Sequence, residues 1–503
     1  MRYLPTGAMM KQADDMTIHT IGIPSLVLME RAALQCVAIL QNQHLDCSHI
    51  LVVCGTGNNG GDGMAIARLL YLKGYKVTVV LIGNRETCTI ETRTQIGILE
   101  KCGLSIGDSI PCDEYSMVID AIFGVGLSRT ITGGYARNIE QINQISGVKV
   151  AIDIPSGIES TSGKVLGIAV KADLTIALAY EKLGTTLHDG YGYSGRVIPV
   201  EIGIEDCALP QESPIPYTYE KKDLPKLLPK RTINSNKGTY GKVLMIVGSM
   251  GMSGAAYLSA KAAYAVGAGL VRIYTVEENR VILQQLLPEA VLTTYTQYEE
   301  SEVASLLAWA EVVAIGSGLG KSNISSQILL QVLRDFRGPC VVDADGLNWL
   351  AKQETCQIFD FKQVVLTPHM KEMAGLLHCE VLEVLEHRLE MLERCINLYG
   401  GTCVLKDART MVLQKKTGLY INCSGCGAMS KAGTGDVLTG MIAGFMAQGI
   451  SSYKSATLGV YLHGLAGEVS MQKKGCYSVL ASDIIEQIST VLKDIRSDII
   501  ENI

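Results

Sequence analysis

Before residue 205, short apolar runs alternate with stretches of helical period. Ile50–Cys54 is wholly apolar and leads into glycines, after which residues 62–73 put Ala65, Ile66, Leu69, Leu70 and Leu72 at helical spacing. Residues 76–82, 117–122, 148–154 and 173–178 repeat the short-run pattern. Residues 13–43, with Leu26, Leu28, Ala32, Val37 and Leu40, read as one long lead-in helix. Apolar runs of strand length between amphipathic helices predict a parallel, doubly wound α/β sheet.

The pattern lapses over 205–236 and then restarts. Pro210, Pro214, Pro216, Pro225 and Pro229 crowd this stretch, together with Lys221, Lys222, Lys226, Lys230 and Arg231. It reads as a connector with one short helix near 222–228, since structureless loops of that length are uncommon inside a domain. Beyond it, 242–247, 271–276, Val312–Ile315, Cys340–Val342, Val364–Leu366, 402–406 and 410–413 are strand-like, with an Ala-rich helix over 255–266. The halves share no repeated motif, so two different α/β domains are expected: 1–212, then a linker over 213–236, then 237–503.

Composition narrows the class. Glycine, at 52 of 503 residues, exceeds the roughly 7% of average proteins, without a collagen period and with only 13 Pro. The surplus belongs in turns and close backbone approaches, as in phosphate-handling α/β proteins. A net charge of −6 offers no basic field for nucleic acid, and 6% aromatics are too few for a base-stacking platform. The 15 scattered cysteines fit reduced thiols better than a disulfide framework. No signal peptide is expected from MRYLPTGAMMKQADD, and no apolar run reaches the roughly 18 residues of a membrane span. A cytoplasmic protein is the expectation.

The first chemical string is Cys54-Gly55-Thr56-Gly57-Asn58-Asn59-Gly60-Gly61-Asp62-Gly63, between a strand and a helix. Its glycines let backbone N–H groups converge on an anion at a helix N-terminus. Gly55, Gly57 and Gly60 match a dinucleotide fingerprint, yet the second strand ends Leu81-Ile82-Gly83-Asn84-Arg85, with no acid for a ribose. Arg85 is either a 2′-phosphate partner or an ordinary loop arginine. Asn58, Asn59 and Asp62 add oxygen ligands and amide donors, while helix capping accounts for any one of them. Asp120-Ala121-Ile122-Phe123-Gly124-Val125-Gly126 and Asp153-Ile154-Pro155-Ser156-Gly157 each place an acid at the carboxyl end of an apolar run, where such sheets bind ligands.

In this order and spacing, these strings resemble the NAD(P)H-hydrate epimerase family over about residues 10–205. The resemblance implies a Rossmann-like domain that binds NAD(P)HX, a nicotinamide cofactor hydrated at C6, and exchanges its R and S epimers. By matching position it implies ligand contacts at Asn58, Asn59, Gly60, Gly61 and Asp62, and at Gly124, Val125, Gly126, Leu127, Ser128, Arg129 and Thr130. Asp153 would meet the nicotinamide end and move the proton at the carbinolamine carbon. Asn59, Asp120 and Ser156 would hold potassium, in keeping with their oxygen chemistry. Ring opening and loss of hydroxide both stay open as routes.

In the second half, Ala432-Gly433-Thr434-Gly435-Asp436 opens an apolar helical run. Its amides would form an anion hole, and Asp436 stands where a base takes a proton from a hydroxyl. Gly248-Ser249, Gly316-Ser317-Gly318, Asp343-Ala344-Asp345, Thr367-Pro368-His369 with Glu372, and Lys406-Asp407-Ala408-Arg409-Thr410 each end an apolar run. A classical P-loop is absent. The set resembles the ribokinase-like, ADP-dependent NAD(P)H-hydrate dehydratase family over roughly 225–495. By that resemblance Ala255, Gly318, His369 and Asp436 contact the hydrate, and Lys406, Asp407, Ala408, Arg409, Thr410 and Gly435 the nucleotide. Magnesium is expected with the nucleotide; Glu372 is an indirect ligand to it or simply a first-turn helix acid. Lys431 is a spare cation or a solvated charge, and Cys423-Ser424-Gly425-Cys426 reads as two loop thiols more readily than as a metal or redox pair.

Together the resemblances imply a homo-oligomeric bifunctional repair enzyme taking NAD(P)HX and ADP, with no nucleic-acid or membrane partner. It would exchange the epimers and dehydrate S-NAD(P)HX to NAD(P)H, giving AMP and phosphate. Two alternatives stand beside it. One is a ribokinase-like, vitamin-type small-molecule kinase with an N-terminal NAD(P)-like ligand-binding domain; the other is a sensor that binds without turnover.

Overall fold

The computed structural model describes residues 1–212, 214–353 and 361–500. The chain divides into two compact units, Tyr3–Tyr217 and Thr218–Ile503 with Met1–Arg2. The unit boundary falls within the stretch read as a connector, and the short helix expected there is Leu224–Leu227. Among the described residues, no helix is long and apolar enough to cross a membrane.

The first unit is built on a seven-stranded sheet. Its strands are β1 (Ile50–Cys54), β2 (Val77–Leu81), β3 (Ile106–Gly107), β4 (Met117–Ala121), β5 (Val148–Ile152), β6 (Leu174–Leu178) and β7 (Arg196–Val200). They lie in the order β3-β2-β1-β4-β5-β6-β7, and every neighbouring pair is parallel. Side chains of β1 alternate between two cores: Ile50, Val52 and Cys54 pack in one, Leu51 and Val53 in the other. Both faces are thus covered, which is why these strands read as unbroken apolar runs. Cys54 lies level with Leu81 on one side and Ala121 on the other, so the loops after β1 and β4 open side by side at the switch in strand order.

The lead-in is not one helix. Helix α1 (Gly7–Asp15) runs into a π-helical turn, Met16–Ile21, and α2 (Ser25–Asn42) starts afresh. Gly22 takes φ +91°, and Pro24 stands just before α2 without an N–H to donate. Periodicity alone carried the reading across this break. Helices α3 (Asn58–Leu72), α4 (Ile90–Lys101) and α5 (Gly133–Gln144) complete the main layers.

The strands of the second unit are β8 (Lys242–Ile246), β9 (Leu270–Val276), β10 (Val291–Tyr295), β11 (Val312–Ile315), β12 (Cys340–Val342), β13 (Val364–Leu366), β14 (Thr402–Leu405), β15 (Met411–Gln414) and β16 (Tyr420–Ile421). Their order is β16-β15-β14-β13-β12-β11-β8-β9-β10. Pairs from β14 through β10 are parallel; β14–β15 and β15–β16 are antiparallel. Of the strands that the apolar pattern does not announce, β7 and β10 are half-exposed and mixed in character, while β3 and β16 are only two residues long.

Helix α6 (Ser253–Ala265) packs closely on α7 (Thr434–Ala447), whose residues from 437 to 447 are all buried. A Cβ on Gly440 would stand 2.0 Å from the Ser259 carbonyl oxygen, a backbone atom that cannot swing aside. Gly440→Ala therefore forces these helices apart. The expected loss is about 1–3 kcal/mol, measured by denaturant unfolding of the full chain.

Candidate active sites

The loop after β1 owes its path to Gly60. A Cβ there would lie 1.8 Å from the Gly55 carbonyl oxygen, so only glycine lets the turn close on itself. Beyond this turn lies a cavity of about 720 Å³ at the carboxyl edge of the sheet. Asn58, Asn59 and Asp62 from α3 line it, as do Gly124, Val125, Gly126, Leu127, Ser128 and Arg129 after β4, and Asp153 after β5. Gly60 and Gly61 shape the loop without lining the cavity. Thr130 is also outside the lining; its methyl packs against Gly167. Arg85 forms a two-pronged pair with Glu100, at 2.7 and 2.8 Å, and answers to the ordinary-loop reading.

Asp120, 1% exposed, accepts from the Ser156 hydroxyl at 2.6 Å and from the Ser156 N–H at 2.8 Å. The Phe123 N–H donates to the Ser156 hydroxyl at 2.9 Å, which ties the loops after β4 and β5 together. Burial pushes the Asp120 carboxyl up to about 6, against the pull of these hydrogen bonds. Both polar atoms of the Asn59 amide are buried without a hydrogen-bond partner. A buried orphan amide is costly unless something else meets it. A carboxylate, a hydroxyl and an amide are donor types that suit a weakly bound, oxygen-loving monovalent cation; of the three residues only Asn59 lines the cavity.

Sequence reasoning did not single out three other charged groups of this cavity, Lys11 and Asp14 on α1 and Lys182. The Lys182 side chain is 1% exposed. Its ammonium donates to Asp153 Oδ1 and, at 2.7 Å, to the Leu178 carbonyl. Asp153 itself has φ +72°, a left-handed conformation uncommon outside glycine and concentrated at functional sites. Burial, then the charges of Asp153 and Asp14, push the Asp62 carboxyl well above the usual range.

In the second unit, residues following β11, β13 and β14, and one on α7, gather around Asp343, just past β12. Its Oδ1 accepts from Lys406 Nζ at 2.7 Å and Thr367 Oγ1 at 2.7 Å; its Oδ2 accepts from Thr439 Oγ1 at 2.8 Å and, more loosely, Ser317 Oγ at 3.4 Å. Burial acts to raise the Asp343 carboxyl, but Lys406 and the threonine hydroxyls overcome it and hold it below its ordinary value. Lys406 Nζ lies 3.7 Å from Glu372 Oε2 and 3.6 Å from where a Gly435 Cβ would stand. Asp436 follows, half-buried at the start of α7. Burial, then the Asp343 charge, push it up to about 6, while Ser317 and Lys406 pull the other way.

The remaining expected contacts fall in two groups. Gly318 and Ala255 are adjacent, a Gly318 Cβ lying 2.9 Å from that of Ala255. His369 pairs with Lys406 in a parallel bridge, and its ring caps the next helix in a box with Glu372. Glu372 thus answers to the helix-acid reading. In the turn between β14 and β15, Asp407 pairs with Arg388 at 3.0 Å, Ala408 donates its N–H to Asp407, and Arg409 donates to the Cys423 carbonyl at 2.7 Å. Thr410 closes the turn on the Asp407 carbonyl at 3.0 Å. Lys431 donates to the Tyr477 carbonyl. Among the described residues, no three His, Cys, Asp or Glu side chains form a metal-holding group.

Two family models match the chain: one described as NAD(P)H-hydrate dehydratase over residues 243–490, and one described as YjeF-related protein N-terminus over 25–184. A Moorella thermoacetica protein named bifunctional NAD(P)H-hydrate repair enzyme Nnr is 34% identical, covering 99% of this chain and 98% of that protein. The protein of the same name from Escherichia coli K12 is 32% identical, covering 94% and 90%. Among solved structures, a ribokinase-like superfamily protein from Enterococcus faecalis is 28% identical with a TM-score of 0.50, covering 56% of this chain and 96% of its own.

The Lys406–Asp343 pair is testable directly. Lys406→Met strands a buried carboxylate and should cost about 3–5 kcal/mol in denaturant unfolding, with Asp343→Asn added to it recovering part of the loss. The folded-state carboxyl titrates below its unfolded value, so in the wild type the contribution is present above about pH 4 and is lost as pH falls further.

Proposed function

The chain belongs to the bifunctional NAD(P)H-hydrate repair enzymes, and from that premise we propose how its two sites divide the work. Residues 1–212 carry epimerisation of R- and S-NAD(P)HX, 213–236 link, and 237–503 dehydrate S-NAD(P)HX to NAD(P)H with ADP, giving AMP and phosphate. Near-full-length identity to the named repair enzymes carries this reading and favours it over a vitamin-type kinase. We place the protein in the cytoplasm, where its scattered cysteines would stay reduced.

In the first cavity the Asn58–Asp62 loop and the Gly124–Arg129 loop hold the cofactor, Arg129 serving its phosphates. Asp153 moves the proton at the carbinolamine carbon. Asn59, Asp120 and Ser156 would hold potassium, which supplies fixed positive charge; the unpartnered Asn59 amide supports that assignment.

In the second site Asp436 takes the proton from the C6 hydroxyl as its oxygen attacks the β-phosphorus of ADP and AMP departs. The backbone amides of the Gly433–Gly435 turn meet the charge on the transferring group. The C6–O bond then breaks with phosphate as leaving group, the ring nitrogen supplying the electron pair, and loss of a proton from C5 forms the C5=C6 double bond of NAD(P)H. Ala255, Gly318 and His369 place the hydrate; Lys406, Asp407, Ala408, Arg409, Thr410 and Gly435 place the nucleotide. Magnesium, brought by ADP, would neutralise phosphate charge.

The test supplies the protein with mixed R- and S-NADHX, ADP and magnesium, and follows the return of reduced-nicotinamide absorbance. Both epimers should drain to NADH; a residue of R-NADHX that never drains overturns the epimerase assignment. Asp436→Asn should slow dehydration by about 10²-fold or more and leave epimer exchange intact. Since Asp436 must be ionised to act, dehydration kcat/KM should rise with pH through about 6 and then level.

A further inference from the structure

The first cavity holds more acid than the reading above employs. Asp14, Asp62 and Asp153 all line it, alongside Lys182. The one buried ammonium, Lys182, is committed to Asp153 and the Leu178 carbonyl, and Lys11, which also lines the cavity, is exposed. Asp14 and Asp62 thus share the pocket with a like charge, while its buried ammonium is held by Asp153, and such carboxyls retain protons. They differ in access. Asp62 is 8% exposed, beneath the glycine turn, whereas Asp14 is half-buried on α1, a separate element from the strand-end loops.

We infer that Asp14 is a second catalytic residue of epimerisation, the proton donor that works with Asp153 as acceptor. The inference rests on the epimerase reading of this cavity. Breaking the carbinolamine needs one group to take a proton and another to give one, and a single carboxyl does not do both at once. Asp153, bearing the lysine, takes the proton from the C6 hydroxyl. The O–H electron pair forms C6=O, the C6–N1 bond breaks with its pair moving to N1, and Asp14 gives its proton to N1. The open aldehyde turns about C5–C6 and presents its other face. N1 then attacks C6 and returns its proton to Asp14 while the oxygen regains one from Asp153. Both carboxyls end as they began, with no oxidant, reductant or water consumed.

The groups facing Asp14 are Lys11 on its own helix, Asp62 from α3, Asp153 after β5, Lys182, and Arg129 after β4. Burial, then the Asp153 charge, raise the Asp14 carboxyl to about 6, with Lys182 opposing; that is a suitable range for exchange near neutrality.

The full chain contains its own control, because S-NADHX needs only the second site. In Asp14→Asn, the kcat of R-to-S exchange should fall about 10²-fold or more, with KM within about 3-fold and S-NADHX dehydration unchanged. Asp14→Glu, which keeps the carboxyl, should restore part of the rate. Wild-type exchange should also decline as pH rises above about 6 as the donor loses its proton, and Asp14→Asn should lack that limb. Exchange by Asp14→Asn within about 3-fold of wild type, a loss confined to KM, or Asp14→Glu as inactive as Asp14→Asn would each overturn the role. A wild type that never interconverts the epimers overturns the epimerase reading itself, a distinct failure.

Discussion

A lysine lying against a carboxylate at the carboxyl edge of a parallel sheet organises each site. Lys182 meets Asp153 in the first unit, and Lys406 meets Asp343 in the second. Without its ammonium, either carboxylate would be a charge removed from water with little to offset it. With it, the loops that end neighbouring strands share one anchor. The pairs then serve different ends. Asp153 remains open to the cavity, whereas Asp343 is closed off by hydroxyls and passes its order to Asp436 and the amides beside it.

Glycine explains why these anchors sit so close to where ligand goes. At Gly60 the first loop folds onto its own backbone, and at Gly440 one helix rests directly on the carbonyl of another. Removing side chains here lets helix N-termini approach the strand ends. Side chains flanking the turns, Asn58, Asn59 and Asp62 in one unit and Asp436 in the other, are thereby brought to the strand ends.

Much of this was legible because parallel strands buried on both faces leave an unbroken apolar run, and the glycine turns follow those runs directly. Asn59, Asp120 and Asp153 could be named because they stand at such ends, whereas Ser156 was named only through the family resemblance. Asp14 and Lys182 could not. Asp14 reaches the cavity from a helix whose local pattern is an ordinary amphipathic one, and Lys182 follows β6 with no glycine signature to mark it. Thr439 is a further case, a hydroxyl inside an otherwise apolar helix whose purpose appears only once Asp343 is beside it. The lead-in failed differently: a helical period continued through Gly22 and Pro24, although the backbone did not.

The partners of Asp343 come from positions 317, 367, 406 and 439, so its carboxylate is satisfied only when the chain as far as α7 is in place. During synthesis, most of the second unit must leave the ribosome before that hub can close. A nascent or truncated chain ending before Thr439 would therefore expose an incomplete nucleotide pocket, with the Asp343 charge only partly met. Completion of this hub is therefore tied to completion of the polypeptide as far as α7.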